Sequence, residues 1–324
     1  MVAERFPMPM PFGWFCIGFS DELENNEVRN VHYFDREMVL FRTASGKVGL
    51  TSPVCPHLGA HLGHGGTVQG ESLRCPFHHW QYDKEGVITA IPYAKRIPPK
   101  WEGKPCLKTY PVCEKNNVIW AWYHPEEKAP DYEVLDLPES QDPEWDHSRR
   151  YQWSFASCPQ EIAENGVDVA HFQFVHNMEA VPLGKTEYEG HIRRSLVSGP
   201  KTVPNEKGEM EEVEVSVSVV QNGAGQKWTR FSGLGDYLVQ VLVTPITRDQ
   251  VDVRFAYSHP KYEKGSYLDA VMEFAVASTN GQQGVEGDIP IWDKKFHLES
   301  PVLCDGDGPI MQFRKYFSQF YNFG

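Results

Sequence analysis

The sequence lacks any run of about eighteen consecutive apolar residues, so no membrane-spanning helix is expected. Its opening residues, Met1-Val2-Ala3-Glu4-Arg5, lack an apolar leader, so no secretory signal is expected. Basic charge is scarce: 31 Lys and Arg stand against 44 Asp and Glu, for a formal net charge of −13. Nucleic-acid binders carry a basic footprint, so that class is disfavoured. There is no internal repeat and no low-complexity tract. Cysteines are few and odd in number, seven in all. A disulfide framework is therefore not expected, and a reduced, cytoplasmic chain is the simplest account.

What is present is a chain of 324 residues with 40% hydrophobic and 13% aromatic residues. That is enough to bury substantial cores, and the length favours two domains. The most informative stretch is Cys55-Pro56-His57, followed after residues 58–74 by Cys75-Pro76-Phe77-His78. The pattern C-x-H…C-x-x-H offers two thiolates and two imidazoles from two short loops. A Rieske [2Fe–2S] cluster needs that set, with two Cys on one iron and two His on the other. A structural zinc site also uses Cys and His, but usually pairs like ligands as C-x-x-C or H-x(3–5)-H. Here each loop contributes one of each, which favours the cluster. The spacing selects His78 over its neighbour His79, and leaves His61 and His64 as loop or surface histidines. Gly59, Gly63, Gly65 and Gly66 suit tight turns, Pro56 and Pro76 stiffen the loops, and Trp80 and Tyr82 are placed to cover the cluster.

Short strands with Gly and Pro punctuation surround this pattern, including a hairpin around Lys84-Glu85 and another from Val112 to Tyr123. They predict an all-β domain over residues 1–123. Residues 124–150 are rich in Pro, Glu and Asp and read as a connection. From 151 to 324 the pattern is α+β. A helix is expected over Glu161–Phe174, with Gly166 its weak link. Strands are expected near 212–220, 237–244 and 251–258, then helices over Tyr267–Ala277 and Ile310–Tyr321, the last opened by Gly308-Pro309.

The first of these helices holds Asp168 and His171, and His176 follows five residues on. Asp168 and His171 are i,i+3 and share a face. His171 and His176 are i,i+5, so both reach one metal only if the helix distorts or ends between them. Two His and one carboxylate make the facial triad of non-haem Fe(II) oxygenases. Two places offer the carboxylate: Asp168, and the acidic pair in Cys304-Asp305-Gly306-Asp307-Gly308-Pro309.

Taken together, the chain resembles the oxygenase component of Rieske non-haem iron oxygenases over nearly its whole length. It looks most like the 3-ketosteroid 9α-hydroxylase and cholesterol 7-desaturase group. The stretches carrying this are Cys75–Trp80, Ile91–Pro98, Asp288-Ile289-Pro290-Ile291-Trp292, Cys304–Pro309 and Arg314–Tyr321. One departure is His79, where many relatives have Gly or Asp. The resemblance implies an N-terminal all-β Rieske domain and a C-terminal helix-grip-like domain with an antiparallel sheet flanked by helices. It implies that Cys55, His57, Cys75 and His78 hold the cluster. It implies that His171, His176 and Asp307 hold mononuclear Fe(II), with Asp305 as runner-up. Asp168 then becomes a carboxylate bridging the two centres across subunits of a homotrimer, and Asn165 lies near the iron. A flavin and iron–sulfur reductase, or a ferredoxin, would bring electrons from NAD(P)H. Dioxygen would then oxidise a C–H bond of an apolar steroid- or sterol-like substrate, by hydroxylation, desaturation or oxidative demethylation. Phe172, Val175, Phe231, Tyr237, Val239, Val241 and Phe274 are candidates to line its pocket. The alternatives are the same machinery acting on an aromatic or N-/O-methyl substrate, and a Rieske electron carrier.

Overall fold

The structure is a computed structural model that describes residues 4–177, 184–233 and 235–322. The chain packs as two compact units. One comprises Trp14–Glu133; the other joins the N-terminal residues up to Gly13 with everything from Val134 onward.

The first unit is built from β1 (Gly13–Phe19), β2 (Val28–Tyr33), β3 (Arg36–Arg42), β4 (Val48–Thr51), β5 (Thr67–Gln69), β6 (Ser72–Arg74), β7 (Gln81–Tyr82), β8 (Ile88–Ala90), β9 (Val112–Lys115) and β10 (Val118–Tyr123). They form three small sheets, ordered β1-β10-β9, β2-β3-β4 and β5-β6-β7-β8. One apolar core joins Val39, Phe41, Leu62, Leu73, Tyr82, Ile88 and Leu107, and Cys55 and Cys75 are part of it.

The second unit contains β11 (Trp145–Asp146), β12 (Arg150–Phe155), α1 (Pro159–Glu164), α2 (Val169–Phe174), β13 (Lys185–Glu189), β14 (Ile192–Pro204), β15 (Met210–Asn222), β16 (Gln226–Ser232), β17 (Tyr237–Thr247), β18 (Gln250–Pro260), α3 (Tyr267–Asn280), α4 (Val285–Trp292) and α5 (Ile310–Phe317). Strands β13 to β18 pair in sequence order as an antiparallel sheet, and β18 also pairs with β12 and β11. Nearly every residue of β18 is buried, as expected of a strand covered on both faces. Sheet residues Val243, Val253 and Phe255 share a core with Ile162 of α1, Val276 of α3, and Val285 and Trp292 of α4.

Four segments differ from the sequence expectation. The stretch 124–150 does not act as one connection, because it divides between the units. Leu135 and Gln226 exchange two hydrogen bonds of 2.9 Å, and Leu137 packs with Trp228 and Leu238. Apolar residues hidden in an acidic segment thus fasten it to the sheet. The N-terminal segment also belongs to the second unit: Phe6 is buried, Arg5 donates to the Trp292 carbonyl at 3.0 Å, and Phe12 N–H donates to the Phe320 carbonyl at 2.8 Å. The expected helix over 161–174 is two helices broken at residues 165–168, and the last helix ends at Phe317 with a 3₁₀ turn to Phe320.

Helix α4 was not expected from the sequence. Gly287 and Pro290, both inside the helix, oppose it in an isolated chain, and tertiary packing of Val285 and Trp292 overrides them. Among the proposed pocket residues, Phe231, Tyr237, Val239 and Val241 do pack in the core between sheet and helices. Phe172 and Val175 are half-buried, but Phe274 is 73% exposed and faces water.

Candidate metal centres

The two loops of the first unit share one backbone design. Cys55 N–H donates to the Ala60 carbonyl and Gly59 N–H donates back to the Cys55 carbonyl, both at 2.9 Å. Cys75 N–H donates to the Trp80 carbonyl at 2.8 Å and His79 N–H to the Cys75 carbonyl at 3.1 Å. Each cysteine therefore closes the same kind of turn, with the i+4 residue in the left-handed region: Gly59 at φ +78° and His79 at φ +59°. His79 occupies the position where the first loop has glycine, and its side chain is exposed.

The four candidate cluster ligands come together. Cys55 and Cys75 are each 1% exposed, and the His57 and His78 rings lie 4.8 Å apart, edge to face, nearer the surface. Burial pushes the Cys75 thiol up, and the backbone N–H groups of Phe77 and His78 pull the other way by donating to its sulfur. Cys55 Sγ lies 3.2 Å from the Tyr82 hydroxyl. The His57 ring stacks on Trp80 at 4.4 Å, and Trp80 Nε1–H donates to the Tyr93 hydroxyl at 2.8 Å. His78 Nδ1 is buried without a hydrogen-bond partner. Two buried thiols beside two imidazoles, one with an orphaned nitrogen, fit a cluster with its Cys side inside and its His side outward. His61 is engaged elsewhere: its Nδ1 accepts from Gly63 N–H at 3.1 Å, and its ring lies 4.3 Å from that of His64.

The second centre depends on the break between α1 and α2. Helix α1 ends at Asn165, its C-cap, and α2 begins at Asp168, its N-cap, whose side chain accepts from His171 N–H at 3.3 Å. His171 lies within α2, whereas His176 follows the C-cap Val175. The helix ends between the histidines, which is how i,i+5 residues face one point. The carboxylate that meets them is Asp288 of α4. His171, His176 and Asp288 each present a ligand atom within 4.8 Å of the others, and His176 Nε2 lies 3.4 Å from Asp288 Oδ2.

Asp307 and Asp305 are not in this group. Asp307 Oδ2 accepts from Cys304 N–H at 2.7 Å, and Asp307 N–H donates to the Cys304 carbonyl at 3.2 Å, closing a turn ahead of α5. Asp305 is exposed. The next residue explains the motif: a Cβ added at Gly308 would lie 1.7 Å from the Val167 carbonyl oxygen. The Asp-Gly-Pro run is thus a close-packed seat for the α1–α2 turn. Gly308→Ala is expected to destabilise the protein by about 1–3 kcal/mol through overpacking, read as a lower urea midpoint at unchanged slope.

Asn165 knits the triad together. Its Nδ2 donates to Asp288 Oδ2 at 3.1 Å and lies 2.9 Å from His171 Nε2. His171 Nδ1 meets the main-chain carbonyl of Asp168, so Nδ1 carries the proton and Nε2 offers its lone pair. It is therefore the Asp168 carbonyl, and not its carboxylate, that orients His171. His176 Nδ1 is buried without a partner. Two oriented acceptors and an orphaned imidazole around one point fit a bound cation.

The electrostatics agree. Burial holds both histidines below the usual imidazole range, which favours the neutral ligating form. Burial raises Asp288 to about 7, with the Asn165 hydrogen bond opposing and the Asp168 charge adding. In the metal-free protein, Asp288 therefore keeps a proton that the unfolded chain has lost from the ordinary carboxylate value upward. That native advantage is present at low pH and is lost as pH rises through about 7. A metal must displace this proton. Apparent affinity of the triad for a divalent metal is expected to climb about tenfold per pH unit up to about pH 7 and then flatten. Metal-dependent melting shifts at pH 5.5 and pH 8 check this, the larger shift being expected at pH 8.

Asp288 was legible only as part of a stretch that carries the family resemblance, with no ligand role given to it. Its signal was a carboxylate directly before the apolar run Ile289, Pro290, Ile291 and Trp292, which needs a partner if buried.

Comparison with known proteins agrees with both centres. Residues 13–111 match the Rieske [2Fe-2S] domain, and residues 121–321, more than half of the chain, match the 3-Ketosteroid 9alpha-hydroxylase C-terminal domain. Cholesterol 7-desaturase of Caenorhabditis elegans is 28% identical over 341 aligned residues, covering 97% of this chain and 78% of that protein. A 3-ketosteroid-9-alpha-monooxygenase oxygenase component of Rhodococcus rhodochrous is 26% identical, covering 99% and 82%. Among solved structures, dicamba monooxygenase bound to dicamba superposes with a TM-score of 0.72 at 16% identity, covering 97% of this chain and 98% of that one. NdmA of Pseudomonas putida CBB5 with caffeine gives 0.71 at 19%, covering 94% and 89%. At such identities these structures establish the fold alone. With its Rieske domain and its matching C-terminal domain, the chain belongs to the 3-ketosteroid 9α-hydroxylase family of Rieske non-haem iron oxygenases.

Proposed function

We propose that this chain is the terminal oxygenase for a steroid- or sterol-like polycyclic substrate, oxidising one C–H bond by hydroxylation, desaturation or oxidative demethylation. The observation that carries the reaction class is the triad of His171, His176 and Asp288 in a chain that also brings Cys55, His57, Cys75 and His78 together. The substrate class rests on the family match across residues 121–321.

When bound, the cluster supplies electrons one at a time and the mononuclear iron supplies dioxygen activation. The protein's own residues do the rest. Asp168, through its carbonyl, holds the His171 tautomer, and Asn165 aligns His171 with Asp288. The apolar core around Phe231, Tyr237 and Val241 offers a dry environment against α3 and α4. A separate reductase, flavin- and iron–sulfur-containing or paired with a ferredoxin, passes electrons from NAD(P)H to the cluster. The half-buried Asp168 remains the candidate to link the two centres between subunits of a homotrimer, in a cytoplasmic enzyme. No helix of the described residues is long and apolar enough to cross a membrane.

The test is a panel of sterols and 3-ketosteroids given to iron-replete protein with a surrogate reductase. A product carrying one added oxygen, a new double bond or one lost methyl group is expected. Failure across the panel, with turnover of a planar aromatic or methylxanthine instead, would replace the substrate class and keep the chemistry.

A further inference from the structure

Outside the triad, the most unusual polar feature is a row of side chains on the sheet. Arg193 of β14 is paired with Gln221 of β15, which is paired with Lys227 of β16. Directly opposed residues on adjacent strands project to the same face. That face meets the turn between α1 and α2. A Cβ added at Gly166 would lie 3.3 Å from Lys227 Nζ and 3.9 Å from Arg193 Nη1, so both cations end against this glycine. Gly166 follows Asn165, whose amide bridges His171 and Asp288.

The row is poorly compensated. Arg193 is 1% exposed; its Nη2 donates to the Gly166 carbonyl at 3.3 Å, its guanidinium lies 5.7 Å from the Phe313 ring centroid and beside the Tyr188 hydroxyl, and among the described residues no carboxylate meets Nε or Nη1. Gln221, also 1% exposed, leaves Oε1 without one. Half-buried Lys227 makes no ion pair among the described residues, and the carboxylate acting on it is that of Asp288. Placing a buried and a half-buried cation side by side, with Asp288 as the carboxylate acting on Lys227, is costly, and apolar residues would fill the space more stably. Such an arrangement is kept when the charge itself acts on something nearby, and the triad is what lies nearby.

We propose that Lys227, backed by Arg193, is an electrostatic positioning residue of the triad: it weakens the site's hold on a divalent cation and favours the lower oxidation state of iron seated there. This rests on the reading that His171, His176 and Asp288 hold the mononuclear metal. Burial lowers the Lys227 ammonium to about 8, so below that pH it is cationic, and a positive charge repels a trivalent ion more than a divalent one. Lys227 is half-buried, so solvent screens it, and even so the effect on divalent affinity is at least about tenfold.

The experiment uses full-length protein with its Rieske cluster oxidised and its mononuclear iron removed. Mn(II) is titrated in, and the free ion is read by its EPR signal. Lys227→Gln is expected to bind Mn(II) at least about tenfold more tightly, and Lys227→Arg to match the wild type. After loading with iron, the midpoint of the high-spin ferric EPR signal is expected to fall in Lys227→Gln and to stay in Lys227→Arg. The visible cluster spectrum and circular dichroism report folding, and Lys227→Met replaces Lys227→Gln if the latter does not fold. Unchanged or weaker Mn(II) binding in the neutral variant overturns the proposal, as does an unmoved midpoint. Equal tightening in Lys227→Arg also overturns it, because that result reports packing and not charge. If the wild type itself takes up no Mn(II), the metal reading of the triad falls and the proposal falls with it.

Discussion

Asp288→Asn is expected to empty the mononuclear site and lower turnover below about one-thousandth of wild type, whereas Asp307→Asn leaves both unchanged. The distinction follows from what each carboxylate touches. Asp288 is buried, accepts from Asn165, and lies 3.4 Å from His176 Nε2. Asn at 288 keeps the volume but removes the negative charge that a hard divalent cation requires, and its amide adds a donor beside another donor. Asp307 closes a turn on Cys304 N–H. The measurement is iron content with cluster absorbance as the internal standard. Two irons per chain with an intact cluster spectrum is the expected result for Asp288→Asn. Full iron content in that variant, or its loss in Asp307→Asn, would return the ligand role to the acidic pair ahead of α5.

The second large effect concerns the loops of the first unit. His78→Ala is expected to abolish the cluster spectrum and with it all turnover, while His79→Gly keeps both and is more stable by up to about 1 kcal/mol. The adjacent histidines differ because of backbone geometry. His78 has a buried Nδ1 without a partner and faces the His57 ring. His79 is held at φ +59°, the conformation that Gly59 adopts in the matching loop, where glycine is unstrained. Visible absorption, acid-labile sulfide and a urea melt of the two variants decide the matter. A cluster that survives His78→Ala would mean that a different nitrogen holds the outer iron.

Both predictions draw on residues whose legibility in the sequence was unequal. The cluster motif was readable because all four side chains come from two loops of a few residues each, and a short loop brings its own ligands together whatever the rest of the chain does. The same holds for His171 and His176. Their i,i+5 offset required the helix to end between them, and it does. Asp168 was readable as a residue near the site, but the atom that contacts His171 was not. Whether carbonyl or carboxylate makes that contact depends on the N-cap geometry, which places the side chain on His171 N–H.

Asp288 was of another kind. It lies in an eight-residue helix that carries Gly287 and Pro290 in its interior, two residues that disfavour helix locally. The helix exists because Val285 and Trp292 complete a core with β17 and β18, and that core then carries the carboxylate to the histidines. The acidic pair at 305 and 307 was the better local candidate, since helix starts attract carboxylates, but the close approach of Gly308 to the Val167 carbonyl gives that run a packing role. The sequence alone thus determined the cofactor classes, the two histidines and the order of the domains, since these depend on residues close together along the chain. Tertiary structure decided the third member of the candidate triad, the split of residues 124–150, and the cationic row behind the triad. Each of those joins residues far apart in sequence, and only the packed sheet brings them into register.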